Sequence, residues 1–124
     1  MVTVYYKDLS YELNGLAFEM FKYHGYGQRE KTYCDYYCSL LDEKNLKYKR
    51  ERYIPALCHN EKILKRYADI IVEDLVVIEM KVGKRLRKVS FDQTLEYLKL
   101  LDKKLGLLIW ISPNGAQVYR VLNG

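Results

Sequence analysis

The sequence predicts an α/β (α+β) fold in which a mixed β-sheet is flanked by α-helices. Apolar residues recur at helical spacing in three stretches, and shorter β-branched or alternating stretches separate and follow them. The resulting order is helix, helix, three strands, helix, two strands, which is typical of helices packed on a sheet. A chain of 124 residues, 49% of them hydrophobic, is long enough to bury one core. We therefore expect a single domain over residues 1–124.

Two helices are expected near the N-terminus. The first follows an N-cap at Ser10 and stops at Gly25 and Gly27, where the backbone can leave a helix. Its apolar face is formed by Leu13, Leu16, Ala17, Met20 and Phe21. The second ends at Lys44-Asn45, and its apolar residues repeat every three or four positions at Tyr33, Tyr37, Leu40 and Leu41.

Three strands are expected next. Residues Leu46–Leu57 alternate between apolar and charged side chains, as a strand with one exposed side does. A turn at 59–62 follows. Ile63–Val72 and Leu75–Val82 are rich in β-branched residues and are separated only by Glu73-Asp74, which predicts an antiparallel hairpin.

A third helix and two strands complete the chain. The segment Ser90-Phe91-Asp92-Gln93 predicts the start of the helix, with Ser90 and Gln93 as a capping box, and Lys103-Lys104 its end. The remaining elements are a buried strand at Leu107–Ile111, a turn at Pro113-Asn114-Gly115 and a last strand at Ala116–Leu122.

The composition argues against several classes of protein. Lysine and arginine number 21 against 16 aspartate and glutamate, so the net charge of +5 biases binding toward polyanions. The apolar stretches fall far short of the roughly 20 residues that a membrane-spanning helix needs, so no membrane contact is expected. The first residues lack the apolar core of a secretory signal, which indicates the cytoplasm.

The cysteines are expected to be reduced. Three cysteines in a chain without an export signal argue against a disulfide framework. A zinc site could be drawn from Cys34, Cys38, Cys58 and His59, but this spacing fits no common pattern of metal ligands. We therefore expect packed or half-buried thiols.

The predicted hairpin carries three charged residues in apolar strands, where a buried charge without a partner is costly. A three-residue or bulged turn at Glu73–Leu75 would set Asp69 directly opposite Glu79, and Lys81 shares a face with Glu79. Two carboxylates at this range attract a hard divalent cation such as Mg²⁺, which would also take a main-chain carbonyl and waters. The alternative is a cross-strand salt bridge in which Lys81 neutralises one of the acids.

With these features the sequence resembles the GxxExxY proteins, small members of the PD-(D/E)XK nuclease superfamily. The name-giving pattern is present at Gly27, Glu30 and Tyr33. The superfamily signature is similar to Ala68-Asp69 followed by Glu79-Met80-Lys81, with alanine in place of the proline. The segment from Gln93 to Tyr97 is similar to the QxxxY element of RecB-like nucleases. The resemblance spans nearly the whole chain and implies a three-layer core with a mixed central sheet.

The resemblance also implies roles for individual residues. The ligands of Mg²⁺ (or Mn²⁺) would be the carboxylates of Asp69 and Glu79 and the main-chain carbonyl of Met80. Lys81 would be the catalytic lysine. The other catalytic residues would be Glu19, as an auxiliary acid from the first helix, and Gln93 and Tyr97, as positioning elements of the third.

Several of these residues have a structural alternative. Gln93 completes the capping box begun by Ser90. Glu19 could be a solvated position on an amphipathic helix. Glu30 suits the first turn of a helix, where the dipole favours an acid, and Tyr33 could pack below it. The roles of the GxxExxY residues are open at this point.

A basic segment lies between the hairpin and the third helix, at Lys84, Arg85, Arg87 and Lys88. These cations could clamp backbone phosphates without reading sequence, and such binding falls steeply with salt. A second group of cations, Lys47, Lys49, Arg50 and Arg52, could extend this surface if the first strand lies at an edge, but protection of an edge strand is the favoured interpretation.

Together these observations predict a metal-dependent nuclease that hydrolyses phosphodiester bonds in nucleic acid, with DNA favoured over RNA. The resemblance also allows a homodimer, because junction-resolving relatives work as symmetric dimers. The alternative is a non-catalytic nucleic-acid-binding or assembly module on the same fold. Its binding would survive removal of the site carboxylates.

Overall fold

A computed structural model describes residues 5–54 and 66–124, and in these ranges the predicted order of elements is confirmed. The helices are α1 (Lys7–His24), α2 (Glu30–Glu43) and α3 (Lys88–Leu101). The strands are β1 (Tyr48–Ile54), β2 (Arg66–Val72), β3 (Val76–Val82), β4 (Leu105–Ser112) and β5 (Gly115–Leu122). The turn predicted at 59–62 lies outside the described residues.

The strands form one mixed sheet in the order β1-β2-β3-β4-β5. Neighbouring strands are antiparallel except β3 and β4, which are parallel. Parallel neighbours need a crossover connection, and α3 provides it. As a result β3 lies in the middle of the sheet, with β2 on one side and β4 on the other.

Helices cover both faces of the sheet, so the predicted α+β fold and its three layers are confirmed. Side chains of α1 and α2, such as Leu13 and Tyr37, pack with Ile78 and Ile109 on one face. On the other face, side chains of α3 pack with the sheet residues Ala68, Ile71, Val77, Leu108 and Val121. The burial of both faces explains why β3 and β4 are nearly continuous apolar runs.

The contact between α3 and β4 is close because of Gly106. A Cβ at this position would lie 2.9 Å from Thr94 Cγ2 and 3.5 Å from Leu98 Cδ1. A distance under 3 Å is a steric clash, so any larger residue would push the helix away from the sheet.

The predicted starts of two helices are wrong. Helix α1 begins at Lys7, before Ser10, and the buried Ser10 hydroxyl accepts a hydrogen bond from Arg120 Nη1 at 2.7 Å instead of capping the helix. Helix α3 begins at Lys88, so Ser90 lies inside it and cannot act as its N-cap. The capping box of Ser90 and Gln93 therefore does not form.

The thiols of α2 are packed, as predicted. Cys34 and Cys38 are both buried and free, and burial raises the pKa of Cys38 to about 11. Cys58 lies outside the described residues.

The helices of the described ranges are too short or too polar to cross a membrane.

Candidate functional site

The hairpin of β2 and β3 has the predicted turn. Val72 pairs with Val76, so the turn consists of the three residues Glu73–Leu75. Glu73 and Asp74 have left-handed φ angles of 52° and 57°, which let the chain reverse over this short distance. The turn length fixes the register of the whole hairpin.

This register sets Asp69 opposite Glu79, as predicted. The backbone ladder reaches Ile70 and Ile78, one step before the two acids. Beyond Ile70 and Ile78 the strands are connected through side chains. Asp69 N–H donates a hydrogen bond to Glu79 Oε1 at 3.0 Å, and Met80 N–H donates one to Asp69 Oδ2 at 2.7 Å. Each carboxylate therefore binds the backbone of the opposite strand.

The strand β2 changes its geometry at Asp69. Ala68 packs in the cluster under α3, whereas Ile70 packs in the cluster under α1 and α2. Residues two apart in a regular strand share one face. The regular alternation is therefore interrupted at Asp69, at the point where side-chain hydrogen bonds to β3 replace the ladder.

The electrostatics around Glu79 are dominated by burial and by other acids. Its side chain is 3% exposed, and burial raises its pKa well above the usual range, with further increases from the charges of Asp69 and Glu30. The hydrogen bond from Asp69 N–H and the charge of Lys81 act in the opposite direction. Three acids, Asp69, Glu79 and Glu30, therefore interact at this site, and Lys81 is the cation that partly offsets them.

Glu30, the first residue of α2, belongs to this group of charges. Desolvation is the largest cause of the raised pKa of Glu30. The charge of Asp69 raises this pKa further, and the charge of Lys81 lowers it. Although part of its side chain is exposed, Glu30 lines a cleft of about 180 Å³ together with Asp69 and Cys34. The predicted place in the first helical turn is correct, but the helix dipole alone does not explain an acid that faces Asp69.

Glu19, the acid that the resemblance places in the site, is not among the charges that act on Glu79. It is exposed on α1, where desolvation and then the charge of Glu19 raise the pKa of the neighbouring Tyr36. Among the described residues, Glu30 rather than Glu19 is the helix acid whose charge acts on Glu79. The spacing from Gly27 to Glu30 and Tyr33 was the signal in the sequence that pointed to this position.

The GxxExxY residues form one local structure. Gly27 has a φ of 112°, in the left-handed region that favours glycine. The Tyr33 side chain is fully buried, and its hydroxyl donates a hydrogen bond to Gly25 O at 2.5 Å and accepts one from Gln28 N–H at 3.3 Å. These bonds tie the loop between α1 and α2 to α2 itself, and so fix the helix start at which Glu30 lies.

Gln93 and Tyr97 lie on the sheet-facing side of α3. Tyr97 is 4% exposed and packs in the cluster that contains Ala68 and Ile71, on either side of Asp69 in sequence. Gln93 is half-buried and lies one helical turn before Tyr97, on the same side of the helix. Because the capping box does not form, a capping role does not explain Gln93.

The loop after β3 is anchored to β4 at Gly83. Gly83 N–H donates a hydrogen bond to Ile111 O at 3.0 Å, and the Trp110 indole N–H donates one to Gly83 O at 2.9 Å. The loop therefore leaves the sheet at a fixed point, two residues beyond Lys81.

The basic residues follow this anchor and are all exposed: Lys84, Arg85, Arg87 and Lys88. No ion pair joins them to an acid in the described part of the chain. Arg87 and Lys88 stand at the start of α3, whose first turn holds no acid. Cations are unfavourable at a helix N-terminus, so these residues add positive potential to that of the dipole instead of cancelling it.

The carboxylates are suited to a hard divalent cation. Within 5–54 and 66–124, no group of three or more His, Cys, Asp or Glu side chains could hold a metal ion by itself. Mg²⁺, however, is usually bound through one or two carboxylates, with waters and substrate phosphates as its other ligands. Asp69 and Glu79 fit this donor set, because a cation between them would offset the burial and the charge of Asp69 that together raise the pKa of Glu79.

Comparison with known proteins agrees with this geometry. A family model of the PD-(D/E)XK nuclease superfamily matches residues 7–121. The chain belongs to the PD-(D/E)XK nuclease superfamily. No curated protein matches it significantly.

Among solved structures, the crystal structure of SSO0001 is similar to this PD-(D/E)XK chain, with a TM-score of 0.53 and 23% sequence identity. The match covers 68% of this chain and 46% of that chain, less than half of its length. At this identity the similarity concerns the fold. The superfamily supports a nuclease-like function, and its nucleases typically use divalent metals such as Mg²⁺.

Proposed function

We propose that this chain is a metal-dependent nuclease that hydrolyses phosphodiester bonds in nucleic acid, with DNA preferred to RNA. The observation that carries the proposal is the pair of cross-strand hydrogen bonds accepted by the carboxylates of Asp69 and Glu79, just beyond the end of the β2–β3 backbone ladder. The charge of Lys81 also acts on Glu79. Membership of the superfamily supports the same class of reaction.

Asp69, Glu79 and the main-chain carbonyl of Met80 would hold Mg²⁺ or Mn²⁺. The cross-strand hydrogen bonds hold both carboxylates at the same end of the hairpin, and carboxylate oxygens are ligands that Mg²⁺ prefers. When bound, the ion would lower the pKa of a water molecule and neutralise charge on the scissile phosphate.

Lys81 and Glu30 would act beside the two carboxylates. Lys81 would orient the attacking water or stabilise the charge that develops on the phosphate in the transition state. The role of auxiliary acid, which the resemblance gives to Glu19, is better supported for Glu30, because its charge interacts with those of Asp69 and Lys81.

Two residues of α3 complete the proposed site from the other side of the sheet. Tyr97 would support the strand that carries Asp69 by packing against Ala68 and Ile71. Gln93 would be a positioning residue one helical turn nearer to the basic loop, which is defined by Lys84, Arg85, Arg87 and Lys88.

The basic loop would bind the nucleic-acid backbone. Its cations are exposed and lie between the strand that carries Lys81 and the start of α3. Phosphate contacts of this kind position a substrate without selecting its sequence.

The shared structure of Gly27, Glu30 and Tyr33 supports membership of the GxxExxY group within the superfamily. A single domain, a cytoplasmic location and a homodimer stay predictions from the sequence and the resemblance.

The second candidate is a nucleic-acid-binding module without catalysis, which the exposed and unpaired cations of the basic loop favour. A panel of labelled single-stranded, duplex and branched DNA and RNA, incubated with Mg²⁺ or Mn²⁺, separates the two functions. The proposed nuclease cleaves at least one substrate and loses activity with EDTA and in Glu79→Gln and Lys81→Ala. Binding without cleavage by the native chain and both variants would instead establish the binding module.

A further inference from the structure

An ion-pair network lies at the rim of the cleft that contains Asp69. Arg50 Nη1 is 2.6 Å from Asp35 Oδ1, and Lys31 Nζ is 3.1 Å from Asp35 Oδ2. The hydrogen bonds from Arg50 and Lys31 lower the pKa of Asp35, so this acid stays ionised and keeps both cations in place.

The position of Arg50 differs from the one predicted for it. The strand β1 is an edge strand, as the protective role requires, and Lys49 is exposed on it. Successive side chains point to opposite faces, and that of Arg50 turns toward α2, where it is 31% exposed. It lines the same cleft as Glu30 and Asp69. Edge protection therefore does not explain Arg50.

The guanidinium of Arg50 keeps donors that the ion pair does not use. Arginine has five N–H donors in a planar fork, and Asp35 takes a hydrogen bond from Nη1. The Nε atom is buried and has no hydrogen-bond partner among the described residues. Nε is therefore closed to a ligand, whereas Nη2 is not buried and makes no hydrogen bond within the described residues, so its donors can meet a further acceptor.

The charge of the cleft makes a phosphate the best acceptor. Asp69 and Glu30 line the cleft and Glu79 adjoins it, so a phosphodiester that approaches the site meets acids. A fixed cation at the rim offsets that repulsion, and the guanidinium fork matches the spacing of phosphate oxygens.

We propose that Arg50, held in place by Asp35, binds a backbone phosphate of the nucleic acid beside the scissile bond. This inference rests on the proposed nuclease function and adds a substrate contact outside the signature of Asp69, Glu79 and Lys81. Asp35 acts through Arg50 and is a positioning residue.

The salt dependence of binding tests the contact. Affinity for labelled single-stranded and duplex DNA is measured without divalent metal over a range of salt concentrations. Arg50→Gln should weaken binding and reduce the slope of log K against log salt by about 0.7 for single strands or 0.9 for duplex, the value of one phosphate contact. Lys49→Gln, which removes the same charge on the opposite face of β1, should leave the slope unchanged.

A third variant separates this role from that of a structural ion pair. Asp35→Asn breaks the same pair but keeps the cation, so the proposal expects weaker binding with an unchanged slope. Equal effects of Arg50→Gln and Asp35→Asn, with the native slope in both, would overturn the proposal while leaving the nuclease function intact. If the native chain binds no nucleic acid, the proposed function fails together with this contact.

If Arg50→Gln does not fold, Arg50→Lys replaces it. Its compact ammonium keeps the charge and loses the fork, so the slope should stay native and the affinity should fall. Native affinity in a folded Arg50→Lys, measured beside Asp35→Asn, would contradict the role of the guanidinium.

Discussion

Asp69 and Glu79 each accept a hydrogen bond from a backbone N–H of the opposite strand, at 2.7 and 3.0 Å. The two acids therefore join β2 to β3 with the same carboxylates that form the candidate metal site. A substitution at either position changes structure and chemistry together, so the choice of replacement decides what an experiment measures.

Amide replacements should separate these two roles. Asp69→Asn and Glu79→Gln keep an acceptor oxygen for the cross-strand bond but lose the charge that attracts a cation. We expect Mn²⁺ affinity and cleavage to fall by more than about 100-fold, beyond the usual cost of changing an outer-shell residue. Calorimetric titration with Mn²⁺ and a cleavage assay measure both quantities. Metal affinity equal to that of the native chain would contradict the assignment of the ligands.

Alanine at position 69 should also cost stability. Asp69→Ala leaves Met80 N–H without its acceptor, and an unpaired buried donor costs about 1–3 kcal/mol. Denaturant unfolding should therefore show Asp69→Ala to be less stable than Asp69→Asn. Equal stabilities would mean that the cross-strand bond contributes nothing.

The contribution of Glu79 to the stability of the metal-free protein should fall as the pH rises. The pKa of Glu79 is raised in the folded state by burial and by Asp69, while in the unfolded chain it stays near 4.5. The folded state thus binds the Glu79 proton more tightly, so this contribution is greatest below pH 4.5 and is lost as the pH rises through the folded pKa. Glu79→Gln lacks this titration. Denaturant unfolding of both proteins should show the native chain losing stability relative to the variant above pH 4.5, and a constant difference would refute it.

Two assignments of the auxiliary acid can be compared directly. Glu30→Gln should lower cleavage at saturating metal by about 10- to 100-fold, because Glu30 lines the cleft with Asp69. Glu19→Gln changes an exposed residue of α1 near Tyr36 and should have a much smaller effect. The reverse order of the two rates would return the role to Glu19.

The hydroxyl of Tyr33 should matter for activity as well as for folding. Tyr33→Phe removes the two hydrogen bonds that tie the Gly25–Gln28 loop to α2. Tyr37→Phe is the matched control, because Tyr37 is equally buried and its hydroxyl donates a hydrogen bond to Leu13 O at 2.9 Å, away from this loop. Both variants should lose about 1–2 kcal/mol of unfolding free energy. Only Tyr33→Phe should also slow cleavage under conditions where both are folded, and equal rates would make Tyr33 purely structural.

The basic loop should dominate the salt dependence of DNA binding. The double variant Lys84→Gln, Arg85→Gln should reduce the slope of log K against log salt on duplex DNA by about 1.8, at 0.9 for each phosphate contact. A double change of Lys44 and Lys99 to glutamine removes equal charge from the C-cap of α2 and the last turn of α3. Equal losses in the two double variants would show a general effect of net charge.

Hairpin geometry could be predicted because it depends on local information. The apolar runs on either side of Glu73–Leu75 leave little freedom in turn length, and turn length fixes which residues face each other. The pairing of Asp69 with Glu79 follows from that register alone.

Helix starts and the third acid depend on contacts that the sequence does not display. Serine is a common N-cap residue, but the Ser10 hydroxyl accepts a hydrogen bond from Arg120, 110 residues away. Helix α3 begins at Lys88, with cations that oppose its dipole. The usual signals of a helix start therefore predict Ser90, two residues later. Periodicity shows which face of α2 is buried, but only the packed structure shows that its first residue, Glu30, lines a cleft with Asp69 and interacts with its charge.

Each strand of the sheet lies beside its neighbour in the sequence. During synthesis the sheet can therefore grow at one edge in the order in which the chain emerges, and the hairpin that carries Asp69 and Glu79 precedes everything after Val82. The pairing of β3 with β4 has to wait for the intervening helix α3. A nascent chain at this stage would already contain the hairpin with Asp69 and Glu79. The edge of β3 that later pairs with β4 would still lack its hydrogen-bonding partner.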